Sequence, residues 1–139
     1  MIVLLILLIP FITGLLLLLL RNDATVKMVA LASAIVNLVA TISMVFSVQV
    51  NSFSVSWINF LGINFALGFD GTSLIMLMLT SLLFPFIIMA GMKREQKHTP
   101  LLYALILFTQ SALIGVFLAQ NAFLFYIFWE LTLIPLYFI

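Results

Sequence analysis

Ionisable side chains fall into two short clusters in this chain. Arg21, Asp23 and Lys27 form one, Lys93, Arg94, Glu95, Lys97 and His98 the other, and only Asp70 and Glu130 stand apart. The stretches between them are almost wholly apolar. Residues 2–20 carry no charge, and as a helix at 1.5 Å per residue they reach about 28 Å, enough to cross a hydrocarbon core about 30 Å thick. A soluble domain is about 25% charged, whereas here 6% of residues are charged and 66% hydrophobic. Charge therefore marks the ends of spans, and the chain reads as an all-α integral membrane protein lying in the lipid bilayer.

Five transmembrane helices are expected, over about 2–20, 27–48, 72–92, 101–118 and 122–139, in a single membrane segment with an outer loop over 49–71. Pro10 and Gly14 in the first span suit packing or a kink. In the second, Ser33, Asn37 and Thr41 recur every four residues and share a face with Ala30 and Ala34, a small and weakly polar stripe suited to packing on another helix. In the loop, Ser52 to Trp57 alternate polar and apolar residues, and a second β-like run covers Ile63 to Phe69, which predicts a short β-hairpin on the outer surface with Trp57 among the headgroups. Asp70 precedes the third span as a helix cap. Thr80 and Ser81 lie near the middle of that span, and Pro85 frees a backbone carbonyl one turn earlier. Pro100 opens the fourth span, which holds Gln110 and Ser111 close to mid-membrane.

The turns after spans one and three contain all five Lys and Arg residues, and the connections after spans two and four contain none. Basic loops stay on the cytoplasmic or matrix side, so the N-terminus faces out and the fifth helix runs inward. The apolar N-terminus lacks the basic region and cleavage site of a signal peptide and reads as a retained span. The sequence has no cysteine, which removes disulfides, thiolate metal sites and cysteine nucleophiles. His98 sits in a solvated charged turn, not in a metal site. No basic patch with interleaved aromatics points to nucleic acid as a partner.

Within the fifth span, FYIFWELTLIP places the carboxylate of Glu130 eight residues beyond Ala122, about 12 Å along the helix and near the bilayer centre. Insertion of a charge at that depth costs about 2.5–3.5 kcal/mol, so an intramembrane carboxylate is a functional candidate by default. Desolvation favours its protonated form, and a nearby cation would favour the ionised one. None of the five spans offers a Lys, Arg or His at that depth, so any cation must come from another polypeptide or from chain outside these residues. Tyr126 lies one turn earlier on the same face, and Pro135 leaves the Leu131 carbonyl without its helical donor, so both are expected to support a proton site at Glu130. The competing reading is a neutral glutamic acid that bonds two spans together.

FYIFWELTLIP, together with GFDGTSLIMLMLT ahead of the third span and a basic turn ahead of the fourth, resembles the antiporter-like membrane subunit of respiratory complex I, called chain 4 or subunit M, over essentially all 139 residues. The ending LIP after the glutamate is its most discriminating part. The resemblance implies a proton-translocating subunit of NADH:quinone oxidoreductase in a bacterial cytoplasmic or mitochondrial inner membrane. Other membrane subunits of the complex would be its partners. No cofactor is expected in this chain, with NADH, FMN, iron-sulfur clusters and quinone all handled by other subunits. In the family the glutamate matching Glu130 pairs with a lysine on a later helix, and family members are several times longer. The chain is accordingly expected to be an N-terminal fragment holding half of a proton site and inactive alone. Related chains leave two alternatives, a subunit of a cation/proton antiporter or membrane-bound hydrogenase, and a truncated chain with a structural or assembly role.

Overall fold

A computed structural model describes residues 1–47 and 53–139. The elements in order are α1 (Ile2–Leu17), α2 (Asp23–Phe46), β1 (Phe53–Ile58), a 3-10 turn (Asn59–Leu61), β2 (Ile63–Leu67), α3 (Gly71–Met92), α4 (Thr99–Leu118) and α5 (Ala122–Phe138). Five apolar helices and one hairpin thus match the expected architecture. α2, α3 and α4 are each long and apolar enough to cross a membrane, while α1 and α5 have 16 and 17 residues.

The helix ends differ from the expected limits for local reasons. α1 stops at Leu17 because the amides of Leu18, Leu19 and Leu20 reach carbonyls three residues back, a tightened final turn. α2 starts at Asp23, ahead of Lys27, because the Asn22 side chain accepts a 3.1 Å bond from the Ala24 N–H and Asp23 complements the helix dipole. Val48, the expected end of the second span, and Ser52, the expected start of the first strand, lie outside the described residues.

The loop forms the expected hairpin. β1 and β2 pair antiparallel from Phe53↔Leu67 to Ile58↔Ile63, with a register shift between Ser56 and Ile58. Gly62 closes the turn at φ 64°, a left-handed conformation that glycine adopts without strain. The outer edge of β2 is occupied by the turn between α4 and α5. Gly68 N–H donates to the Leu118 carbonyl at 2.9 Å, Gln120 N–H to the Ala66 carbonyl at 3.0 Å, and the Asn121 amide to the Asn64 carbonyl at 2.6 Å. An edge that would otherwise invite pairing is thereby satisfied within the chain.

α4 is the central helix and packs on all four others. Around it lie two buried clusters. One joins Val3, Ile6 and Leu7 of α1 to Met44, Leu77, Ile114 and Leu118 at the hairpin end, and the other joins Leu17 to Ala30, Ala34, Ile88, Tyr103 and Leu107 at the basic end. At the basic end Lys27 Nζ donates to the carbonyls of Met92 (3.0 Å) and Arg94 (3.3 Å), so a cation sits where the C-terminus of α3 leaves acceptors unpaired.

The polar stripe of α2 packs as expected and repairs a specific defect. Pro10 has no N–H to give the Ile6 carbonyl, and its ring disturbs the turn before it. In lipid an unpaired carbonyl has no water to turn to. Asn37 of α2 donates its amide to Ile6 O at 2.7 Å, and Ser111 of α4 donates to Leu7 O at 2.8 Å. Asn37 Oδ1 accepts in turn from Ser81 of α3 at 3.3 Å, and Ser81 and Thr41 share a 2.9 Å contact. Three helices are thus tied to the kink in a fourth region of backbone. Replacing Asn37 by Ala should destabilise the protein by about 1–3 kcal/mol, the cost of an orphaned buried acceptor. In a Pro10→Ala background, where residue 10 regains its own N–H, the same change should cost less. Thermal unfolding of the four members of this cycle in detergent would show equal costs if the bond from Asn37 did not serve the proline defect.

Candidate functional site: the open face of α5

α5 begins where Asn121 Oδ1 accepts the Leu124 N–H at 2.8 Å, with Asn121 also bound to the hairpin. Its rotation is then fixed by Phe128. The Phe128 ring lies so close to Gly115 of α4 that a Cβ at that glycine would overlap it. Leu124, Thr132 and Pro135 are buried with this inward side, and Thr132 returns its hydroxyl to the Phe128 carbonyl at 2.9 Å. Two residues beyond Phe128 is about 200° of turn, so Glu130 faces outward and is exposed.

Tyr126, 60% exposed, shares that outward face, and its phenol stands beside the Glu130 carboxylate. These two site residues are brought together. Pro135 is not. Five residues from Glu130 is about 140° round the helix, and Pro135 is buried on the other side, where it lines an apolar groove of about 410 Å³ with Leu7, Phe11, Phe108 and Leu131. The Pro135 ring thus lies away from the Glu130 side chain. Among the described residues the Glu130 side chain makes no hydrogen bond to another of the five helices. Sequence reasoning missed the pairing of Gly115 with Phe128 that decides this rotation. Neither residue carries a polar signal, and only their spatial approach reveals it.

Asp70 takes the capping role. Its carboxylate accepts the Ser73 N–H at 2.7 Å, and this bond holds its carboxyl below the usual carboxylate range. His98 lies in the exposed basic turn, and among the described residues no group of three or more potential ligands could hold a metal ion.

No family model matches the chain. Over 86 residues it is 50% identical to F420H2 dehydrogenase subunit M of Methanosarcina mazei, over 89 residues 37% identical to NADH-quinone oxidoreductase subunit M of Escherichia coli, and over 82 residues 39% identical to an NAD(P)H-quinone oxidoreductase chain 4 of Nostoc. Its homologues are subunit M and chain 4 proteins. The matches to subunit M of Methanosarcina and Escherichia cover 62% and 64% of this chain but only 17% and 18% of those relatives, so the chain spans under a fifth of the length of the subunit M proteins it matches. Sequence identity is therefore narrower than the whole-chain resemblance expected. The fold likeness is wider. The chain superposes on respiratory complex I from Thermus thermophilus with a TM-score of 0.82 and 25% identity, covering 97% of this chain and 27% of that one. It also shares its fold with an archaeal membrane-bound sulfane sulfur reductase, at a TM-score of 0.80 and 20% identity over 94% of this chain and 21% of that one.

The cap at Asp70 has a pH signature. A carboxyl whose folded-state value lies below its ordinary 3.8 stabilises the fold fully above that value, and the contribution is lost as pH falls through the lower folded one. Amide exchange at Ser73 and Leu74 should therefore show an acid-dependent loss of protection at low pH. Asp70→Ala should remove that protection at all pH values, and unchanged exchange in the variant would show that the first turn of α3 holds without the cap.

Proposed function

We propose that this chain takes part in proton translocation coupled to quinone reduction, as membrane chain of an NADH:quinone oxidoreductase, with Glu130 as the intramembrane proton-site carboxylate. The supporting observation is the placement of that carboxylate. The bundle turns its other mid-membrane polar side chains, Asn37, Ser81, Gln110 and Ser111, inward, and turns Glu130 outward on α5 about 12 Å into the span. A carboxylate left against lipid would cost about 2.5–3.5 kcal/mol. A partner polypeptide that covers this face with a polar or cationic group offsets the cost and makes the protonation of Glu130 depend on that group's position. Tyr126 keeps a phenol at the carboxylate, able to donate to its ionised form.

In this reading the chain contributes no redox group, and NADH, flavin, iron-sulfur clusters and quinone belong to other subunits. Homology to subunit M proteins of respiratory complexes supports it. Glu130 is then half of a site, completed by a cation outside these 139 residues, and the segment by itself does not pump. A second reading concerns the electron donor. Identity is 50% to the F420H2 dehydrogenase subunit M and 37–41% to NADH-quinone oxidoreductase subunits M, which favours a complex fed by F420H2.

Glu130→Gln in the intact complex should greatly reduce proton pumping and coupled quinone reductase activity, and Glu130→Ala should do at least as much damage because it also strands the covering partner. Pumping at the wild-type rate by an assembled Glu130→Gln complex, measured in membrane vesicles, would sink the assignment.

A further inference from the structure

A second mid-membrane polar site lies on the opposite side of α4 from the α5 groove. Gln110 is fully buried, yet neither Oε1 nor Nε2 has a hydrogen-bond partner among the described residues. The hydroxyls of Ser33, 7% exposed, and Tyr103, 0% exposed, are likewise buried and unpartnered. An unmade hydrogen bond to a buried polar group costs about 1–3 kcal/mol, and a primary amide has room for four. Enclosure by this chain's own helices keeps any partner subunit from reaching Gln110. Whatever satisfies it must be small enough to sit inside the bundle.

The helix register brings these groups to one level. Asn37 of α2 and Ser111 of α4 donate to the consecutive carbonyls of Ile6 and Leu7, so Gln110 is level with Asn37 and, through it, with Ser81 of α3. The long Gln110 side chain leans back toward the N-terminus of α4, in the direction of Ser33. Thr41 and Asn37 of α2 meet Ser81 of α3, so Ser33, one to two turns back, comes level with the stretch from Pro85 to Ile88. Pro85 has no N–H for the Ser81 carbonyl, which leaves an acceptor free there. The adjoining cluster is also short of protons. Thr41 and Ser81 have two hydroxyl protons for three oxygen contacts, to Asn37 O, to Asn37 Oδ1 and to each other.

We propose that ordered water binds between α2, α3 and α4 at Gln110, bridging its amide to the Ser33 hydroxyl and the free Ser81 carbonyl. A buried water needs two to four polar partners; the amide, the hydroxyl and the carbonyl supply them. Water can donate two protons to acceptors that the helices leave unmatched and accept from the Gln110 amide. The site is separate from Glu130, which lies on the far face of α5.

A map of the intact complex at a resolution that shows water should contain density within 2.7–3.2 Å of the Gln110 amide, with a second contact to Ser33 Oγ or Ser81 O. A Gln110 side chain bonded directly to protein, with no such density, would overturn the proposal. Radiolytic hydroxyl-radical footprinting of the same complex supplies an independent readout, because bound water generates radicals beside it. Phe84 and Tyr103 should be labelled despite their burial, and Gln110→Leu should lower that labelling to the level of the dry core. Wild-type labelling at that dry level, or labelling unchanged in an assembled Gln110→Leu complex, counts against the site.

Discussion

The hydrogen bond from Asn37 to the Ile6 carbonyl is the interaction on which the arrangement of the bundle turns. Hydrocarbon supplies no substitute for a missing backbone partner, so the break made by Pro10 has to be repaired by a side chain from a neighbouring helix. On the α2 stripe Asn37 donates to α1 and accepts from α3 at once. With Ser111 of α4 donating to the next carbonyl, Leu7 O, these bonds set the places of α1, α2, α3 and α4 together. Apolar packing in lipid has no directional preference of its own. Direction comes from these few polar bonds.

α5 is positioned differently. Among the described residues it makes no side-chain hydrogen bond into the helix bundle, its cap Asn121 bonding to the hairpin, and it takes its rotation from Phe128 seated on Gly115. That single close approach buries Leu124, Thr132 and Pro135 and turns Glu130 and Tyr126 away from the other helices. The geometry of the proposed proton site is thus an indirect product of a glycine on another helix. The apolar groove beside Phe128 and Pro135 and the polar face bearing Glu130 occupy different sides of the same helix, so a molecule in the groove does not meet the carboxylate.

Much of this could be read in advance from residue patterns. Apolar runs separated by charge clusters located five helices, alternation located the hairpin, and spacing of four located the packing stripe of α2. Helix limits were less legible where a side chain caps the end, as Asn22 does, because a span defined by hydropathy takes no account of polar residues that start a helix. Glu130 was conspicuous in sequence, but its outward direction was not, since rotation about a helix axis depends on which faces meet. The place of the Pro135 ring was hidden for the same reason: its backbone effect is fixed by chemistry, whereas its azimuth relative to the bundle follows from the seating of Phe128. Gln110 gave no sign in sequence of being enclosed, and its isolation emerges only when the helices around it are in place.

The hairpin bonded to the turn between α4 and α5 also has a consequence for biogenesis. β1 and β2 are synthesised and exported before α4 exists, and the carbonyl of Leu118, the amide of Gln120 and the side chain of Asn121 that complete the β2 edge emerge only after the third and fourth helices are inserted. Until then the hairpin waits at the membrane surface with an unfinished edge. Its closure therefore registers that the fourth helix has crossed in the correct direction, because a helix inserted the other way would leave Gln120 and Asn121 on the opposite side of the membrane.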